Sequence, residues 1–347
     1  MKIAFTSCIN FTQYPNQAWW QDIEIQNPDY LLLLGDNIYM DYPHAKQRLK
    51  HLKAISAKDY GIEMDKMYEN QFGEENFKRL FDKLNSNNRV FAIWDDHDFL
   101  WNNSNGAYLR SDLESSGNEV EEKLKVSREL FFKYLKNNWM NYPEIYYYVD
   151  TAKARLIFLD NRSYSLKAGL NSDLLGESQF KFLENSLRHD KDYTLICGGI
   201  TLSESVIKDN PYYGENWLDY PKDLIRLCRL ISEKQNAFYL SGDIHRNRFG
   251  EPKFLKDIRR LNKPENVDEI DFNKWFTPPQ FISSGFALKM PVVFRNWAIL
   301  NIDDQGLSIE FYRKDSKNDS KTTLDKKTTN QANSWLQANN YYAPPIA

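Results

Sequence analysis

A chain of 347 residues with 45 basic and 48 acidic side chains carries a net charge of -3, which gives no global field to recruit nucleic acid or anionic lipid. An apolar share of 41% and an aromatic share of 15% provide for a large core, yet no stretch reaches the apolar length of a membrane span. Cys8, Cys197 and Cys228 cannot all pair, and so few cysteines exclude a disulfide scaffold. The length suits two domains, or one α/β domain with insertions. Met1 leads straight into a strand-like segment without the apolar core of a secretory signal, so the expected location is cytoplasmic.

In chain order, apolar runs at Ile3 to Thr6, Tyr30 to Leu34 and Val90 to Trp94 predict buried strands. Between them, helices are expected around Gln17 to Ile25 and over much of His44 to Leu84, which is α/β punctuation. Leu124, Phe131 and Leu135 recur at helical spacing and predict a helix from about Glu121 to Lys136. Two strands, Ile145 to Val149 and Arg155 to Leu159, follow with a polar link that suits a hairpin. A helix over Glu177 to Leu187, a strand over Thr194 to Cys197, a helix opening at Pro221 and a strand over Ala237 to Leu240 come next. Cys228 falls on the apolar stripe of the Pro221 helix and reads as a core thiol. Phe249 to Pro279 is charged and irregular, an excursion over the active face. Phe281 to Ser283, Trp297 to Ile302 and Leu307 to Phe311 look like closing strands. Beyond them, Lys314 to Asn330 is polar and reads as a loose connector, with Trp335, Leu336, Tyr341 and Tyr342 docking back on the body.

Three of the strands run directly into acidic turns: Gly35-Asp36-Asn37-Ile38-Tyr39, Trp94-Asp95-Asp96-His97-Asp98 and Ser241-Gly242-Asp243-Ile244-His245. One such turn is commonly only an Asp capping nearby amides. Four acidic or histidine-bearing strand ends in one chain, Asp160 included, are hard to explain as independent turns. In an open α/β sheet, ligands gather beyond the carboxyl ends of the strands, so these side chains can meet in one crevice. Such a cluster repels itself unless a cation sits in it.

Phosphoryl transfer needs charge neutralised on the transferred group and an oxygen nucleophile held in line, and a pair of cations does both. Asp36 is the best bridging candidate, at the end of the most continuous apolar run. Tyr39, three residues on, reads either as a phenolate ligand suited to a ferric centre or as an aromatic wall. Cys8 ends the first strand, where it is a metal thiolate or a structural thiol. His97 and His245 sit among aspartates as ligands or proton donors, whereas His44, His51 and His189 read as surface residues. So oxygen-rich a set points to calcium, magnesium or manganese at one site and away from a dinuclear zinc site built on histidine. Arg162, in Asp160-Asn161-Arg162-Ser163-Tyr164, offers its donor fork to a phosphate or forms a buried ion pair that shapes the site. There is no Gly-x-Ser-x-Gly elbow, no phosphate-binding Gly-x-x-x-x-Gly-Lys-Ser/Thr loop and no Cys-x-x-Cys pair, so the serine hydrolase, nucleotide-loop and zinc-ribbon classes lose support.

Taken together, these residues resemble the alkaline phosphatase D (PhoD-like) family of calcineurin-like metallophosphatases. The likeness runs in order through Phe5-Thr6-Ser7-Cys8, the Gly35 to Tyr39 turn, Trp94 to Asp98 with Asn102-Asn103, Leu159 to Tyr164, Ser241 to His245 and Ser283-Ser284-Gly285, over roughly residues 1–312. It implies a four-layer αββα sandwich of two mixed sheets, with residues 1–313 as the metallophosphatase domain, a helical insertion around 44–88, and 314–347 as connector and tail. It implies hydrolysis of phosphoric esters. It further implies iron (Fe3+) at Cys8 and Tyr39, a bridging Asp36, and Asp96, Asp243 and His245 completing the cluster beside calcium, with magnesium, manganese or zinc as substitutes. His97 corresponds to the histidine that protonates the leaving group or steadies the phosphate, and Arg162 and Asn102 are expected to contact substrate.

Two departures stand out. Secreted members carry an export signal and an extra β-domain, whereas this chain starts at the first motif. The superfamily often places a further metal-binding histidine near Thr194 to Cys197, where Gly198-Gly199-Ile200 offers none. The expected partner is a small phosphate ester or a phospholipid. A phosphodiesterase or phospholipase D-like activity is the close rival, favoured if Trp101, Trp217 and Trp275 line the mouth. A non-catalytic binding protein is more distant, because it predicts substitutions among the ligands and the motifs contain none.

Overall fold

The computed structural model describes residues 1–106, 119–203, 215–232, 234, 236–258, 261–264, 273–285, 295–314 and 322–328. The first part of the chain alternates strand and helix: β1 (Lys2–Thr6), α1 (Trp19–Ile25), β2 (Tyr30–Leu34), α2 (Ala45–Ala54), α3 (Ala57–Gly73), α4 (Glu75–Asn85) and β3 (Val90–Ile93). The unbroken apolar run of β2 fits a central parallel strand covered on both faces, and Leu31 to Leu34 are fully buried between β1 and β3. A one-turn helix α5 (Asp96–Phe99) and the long α6 (Val120–Leu135) follow.

The second part holds β4 (Tyr147–Asp150), β5 (Ala154–Phe158), α7 (Gly176–Ser186), β6 (Tyr193–Cys197), α8 (Pro221–Ile231), β7 (Ala237–Ser241), β8 (Arg248–Gly250) and β9 (Gln280–Ile282). Pro at the first position of α8 costs no hydrogen bond, because that amide has no partner inside a helix. Strands β10 (Arg295–Asp303), β11 (Gly306–Lys314) and β12 (Thr322–Thr328) then return to the first sheet.

Two mixed six-stranded sheets result, ordered β12-β11-β10-β1-β2-β3 and β4-β5-β6-β7-β9-β8. Their inner faces share one core: Phe91 of β3 packs against Phe158 of β5 at 5.9 Å, and the Tyr147 hydroxyl bridges to the backbone of Ala92. On the outer face of the second sheet, Ile157, Ile196 and Tyr239 pack with Phe180 and Leu183 of α7 and with Leu224, Leu227 and Cys228 of α8. Helices α1 and α4 cover the first sheet through Trp20, Ile23, Phe77 and Leu80. This is the αββα sandwich of two mixed sheets.

Two segments differ from the sequence reading. The stretch read as irregular after Phe249 is bracketed by the short strand β8, paired with β9, and by a bridge between Phe254 and Phe276. Part of the expected connector, Thr322–Thr328, is an edge strand on β11. A neighbouring strand edge supplies backbone partners that composition does not register, and threonine suits a strand. Trp335, Leu336, Tyr341 and Tyr342 lie outside the described residues. No helix among the described residues is long and apolar enough to cross a membrane.

Candidate metal centre

The carboxyl ends of β1, β2, β3 and β7 open onto one corner. There the chain leaves each strand through unusual backbone: Cys8, Asp36, Asp243 and His245 all have left-handed φ, at 60°, 53°, 65° and 52°. Each costs an L-residue of this kind on the order of 1 kcal/mol, and four side by side mark a place where side-chain direction outranks backbone comfort. Glycines make room for the crossing loops. Gly35 has φ +92°, and a Cβ there would lie 2.5 Å from Cβ of Asp95. A Cβ on Gly242 would lie 2.0 Å from the Ser7 hydroxyl.

Asp36 is the hub. Its Oδ2 receives the Tyr39 hydroxyl at 2.9 Å and the Cys8 thiol at 3.3 Å, and its Oδ1 accepts the His97 amide at 3.3 Å. Donor atoms of Asp36, Asp96 and His97 lie within 4.8 Å of one another. Ser284 connects the remaining corner, donating to Cys8 Sγ at 3.0 Å and accepting the His245 amide at 3.1 Å. Cys8 Sγ also lies 3.9 Å from the Asp243 carbonyl. Cys8, Asp36, Tyr39 and Asp96 are buried in this corner, with Asp243, His245 and His97 half-buried beside them.

The electrostatics of the cluster follow from burial and mutual charge. Burial pushes the Asp36 carboxyl well above its ordinary value against the opposing charge of His97, and Asp96 and Asp95 add to the rise. Burial likewise raises Cys8 and Tyr39, helped by the charge of Asp36, and raises Asp243, helped by Asp95 and Asp96. Asp96 differs: burial is outweighed by the charges of His97 and Arg162 and by the Asn103 amide, so it stays below the usual carboxylate range. Burial takes His245 down to about 4, the neutral form a metal ligand requires. Asp243 Oδ2, His245 Nδ1 and Asn37 Oδ1 are buried without a hydrogen-bond partner among the described residues. Orphaned acceptors beside acids whose ionisation burial opposes fit a cation, which would stabilise every charged form at once. The mixed sulfur, phenol, carboxylate and imidazole donors fit a transition metal together with a harder ion.

The profile of the PhoD-like phosphatase family matches residues 3–268. The chain belongs to that family. It is thus a phosphoric ester hydrolase of the metallophosphatase class. A solved structure described as PhoD has 16% sequence identity and a TM-score of 0.61, covering 94% of this chain and 71% of its own. A putative 5'-nucleotidase from Staphylococcus aureus, solved with alpha-ketoglutarate, has 14% identity and covers 97% of this chain and 59% of its own; at a TM-score of 0.39 that likeness carries no argument. Among curated proteins no sequence matches.

Other residues singled out in the sequence fall around this PhoD-like centre. Arg162 is buried, with Nε on Asp95, Nη1 on Glu215 and Nη2 at 4.0 Å from Asp96 Oδ1. The side chain of Asn102 is exposed, and its amide donates to Asp41 at 3.0 Å. Asp160 spends one oxygen on the Trp94 indole and the amides of Arg162 and Ser163, so it closes a turn and does not reach the cluster. Trp101 and Trp217 are buried and Trp275 packs on the second core, so they do not form a mouth for a large substrate. His44 is exposed, His51 pairs with Glu63 and His189 with Thr194.

Three participants escaped the sequence reading. Asp41 holds His97 Nδ1 at 2.5 Å, and its one signal was an acid five residues beyond Asp36. Ser284 lay in a matched motif, but nothing local shows that it reaches Cys8. Glu215 carries no motif at all.

Proposed function

We propose that this protein is a phosphomonoesterase with a two-metal centre: iron at Cys8 and Tyr39, and calcium, or magnesium, manganese or zinc in its place, held with Asp96, Asp243 and His245. Asp36 lies between the two. The observation that carries this reading is Asp36 itself, whose Oδ2 meets the thiol and the phenol while Oδ1 turns to the His97 and Asp96 side. Ions bound there supply Lewis acidity to the phosphoryl oxygens and lower the pKa of attacking water.

The chain's own residues do the rest. Asp41 on Nδ1 fixes the orientation of His97 and leaves Nε2 for the leaving oxygen or the phosphate. The Tyr39 ring lies against that imidazole at 4.0 Å and limits its swing. Burial opposes the charged form of His97, and Asp96, Asp36 and Asp41 favour it, which suits the imidazole to donate a proton to a leaving group. Arg162 places positive charge beside Asp96, and the exposed Asn102 side chain is offered to the substrate at the rim.

Elemental analysis of protein purified without added metal, paired with turnover of p-nitrophenyl phosphate, tests this directly. Wild type should hold near-stoichiometric iron, and Asp36→Asn should lose metal and activity together. Full activity in Asp36→Asn would remove the bridging role.

A further inference from the structure

The Arg162 guanidinium is more than compensated. Asp95 takes Nε, Glu215 takes Nη1, and Asp96 stands 4.0 Å from Nη2. Counting only the two carboxylates in direct contact, the group carries one negative charge in excess. The Arg162 and Asp95 side chains are sealed at 2% and 1% exposure, whereas Glu215 is 16% exposed. Glu215 is also held from behind, where its Oε1 accepts the Tyr220 hydroxyl at 2.8 Å. Tyr220 lies directly before α8, and its fully buried side chain belongs to the second core. Arg162 already has a buried partner in Asp95, and a second carboxylate on it adds repulsion to a site that must receive an anion.

We propose that Glu215 is a specificity-determining residue: it cancels the charge of Arg162 and so lowers the preference of the site for a dianionic phosphate monoester relative to a monoanionic diester. It acts through Arg162 and through space, not by touching the reacting atoms. A unit charge acts twice as strongly on a dianion as on a monoanion, so removing the Glu215 charge favours the monoester. This inference rests on the phosphoesterase reading of the centre.

The test compares p-nitrophenyl phosphate with bis(p-nitrophenyl) phosphate at pH 8, where the monoester, with its second pKa near 6, is dianionic. Glu215→Gln should raise the monoester-to-diester ratio of kcat/KM about three- to tenfold, a unit-charge effect at partly screened range. Glu215→Asp, which keeps the charge, should leave the ratio unchanged even if both rates fall. Calorimetric binding of inorganic phosphate should tighten by a similar factor in Glu215→Gln, a readout independent of turnover. An unchanged ratio with unchanged phosphate affinity, or equal loss of both activities in folded protein, overturns the proposal. Should Glu215→Gln fail to fold, Glu215→Ala removes the same charge: a rise in the ratio supports the inference, and an unchanged ratio in folded protein overturns it. Wild type inactive on both esters would instead sink the functional reading itself.

Discussion

Asp36 and Asp160 look alike in the sequence, each an acid at the end of an apolar strand, yet they have opposite fates. Asp36 stands in left-handed backbone after Gly35, and its oxygens meet side chains from the turn after β1 and from its own turn. At Asp160 the next residues double back, and the amides of Arg162 and Ser163 with the Trp94 indole consume its Oδ1. An acid that can satisfy itself on its own turn becomes structure. One whose neighbours are other acids is left open to a cation, the role proposed for Asp36.

The sharpest way to break this contrast is to neutralise both. Asp36→Asn should lower kcat/KM by about 10³-fold or more, the several kcal/mol that Lewis-acid stabilisation supplies, with metal lost on elemental analysis. Asp160→Asn should keep its metal and most of its activity while losing roughly 1–3 kcal/mol in urea denaturation, because three donors exchange a charged acceptor for a neutral one. Metal loss in Asp160→Asn at full stability would erase the distinction.

Asp41 lies between the two cases, since it neither caps a turn nor joins the acid cluster. One oxygen holds His97 and the other the Asn102 amide. Asp41→Asn should cost about 10- to 100-fold in kcat, the usual effect of removing the partner that orients an active-site histidine, with metal retained. An unchanged kcat would show that His97 needs no such support.

The smallest effect concerns an acid remote from the centre. Burial lifts Asp223 to about 6 from 3.8, although it accepts the amides of Leu174 and Leu175. The folded state then binds this proton more tightly than the unfolded chain, so Asp223 adds stability as pH falls from about 6 towards 3.8 and withdraws it as pH rises. Asp223→Asn should flatten that part of the stability-against-pH curve by roughly 1–3 kcal/mol. Parallel urea titrations at pH 4 and pH 7 measure the difference, and identical slopes would refute it.

Much of the architecture was legible in the sequence because burial leaves a local mark. The runs Tyr30 to Leu34 and Ala237 to Leu240 can only be core strands, and the helical stripes at Leu124 and Leu224 place their helices to within a residue or two. The acidic turns were equally visible, since glycine next to aspartate after such a strand forces a tight exit. Strand β12 was less so, because an edge strand borrows its hydrogen bonds from a neighbour and needs little apolar content.

What the chain determined by itself is therefore the set of strand ends and the chemical groups placed on them. Which acid faces which was decided only by the tertiary structure. Cys8 and Ser284 are 276 positions apart and meet at 3.0 Å, and Arg162 finds Glu215 across 53 positions. Contacts of that kind depend on two sheets closing over one core, and they leave no periodicity in the chain from which they can be read.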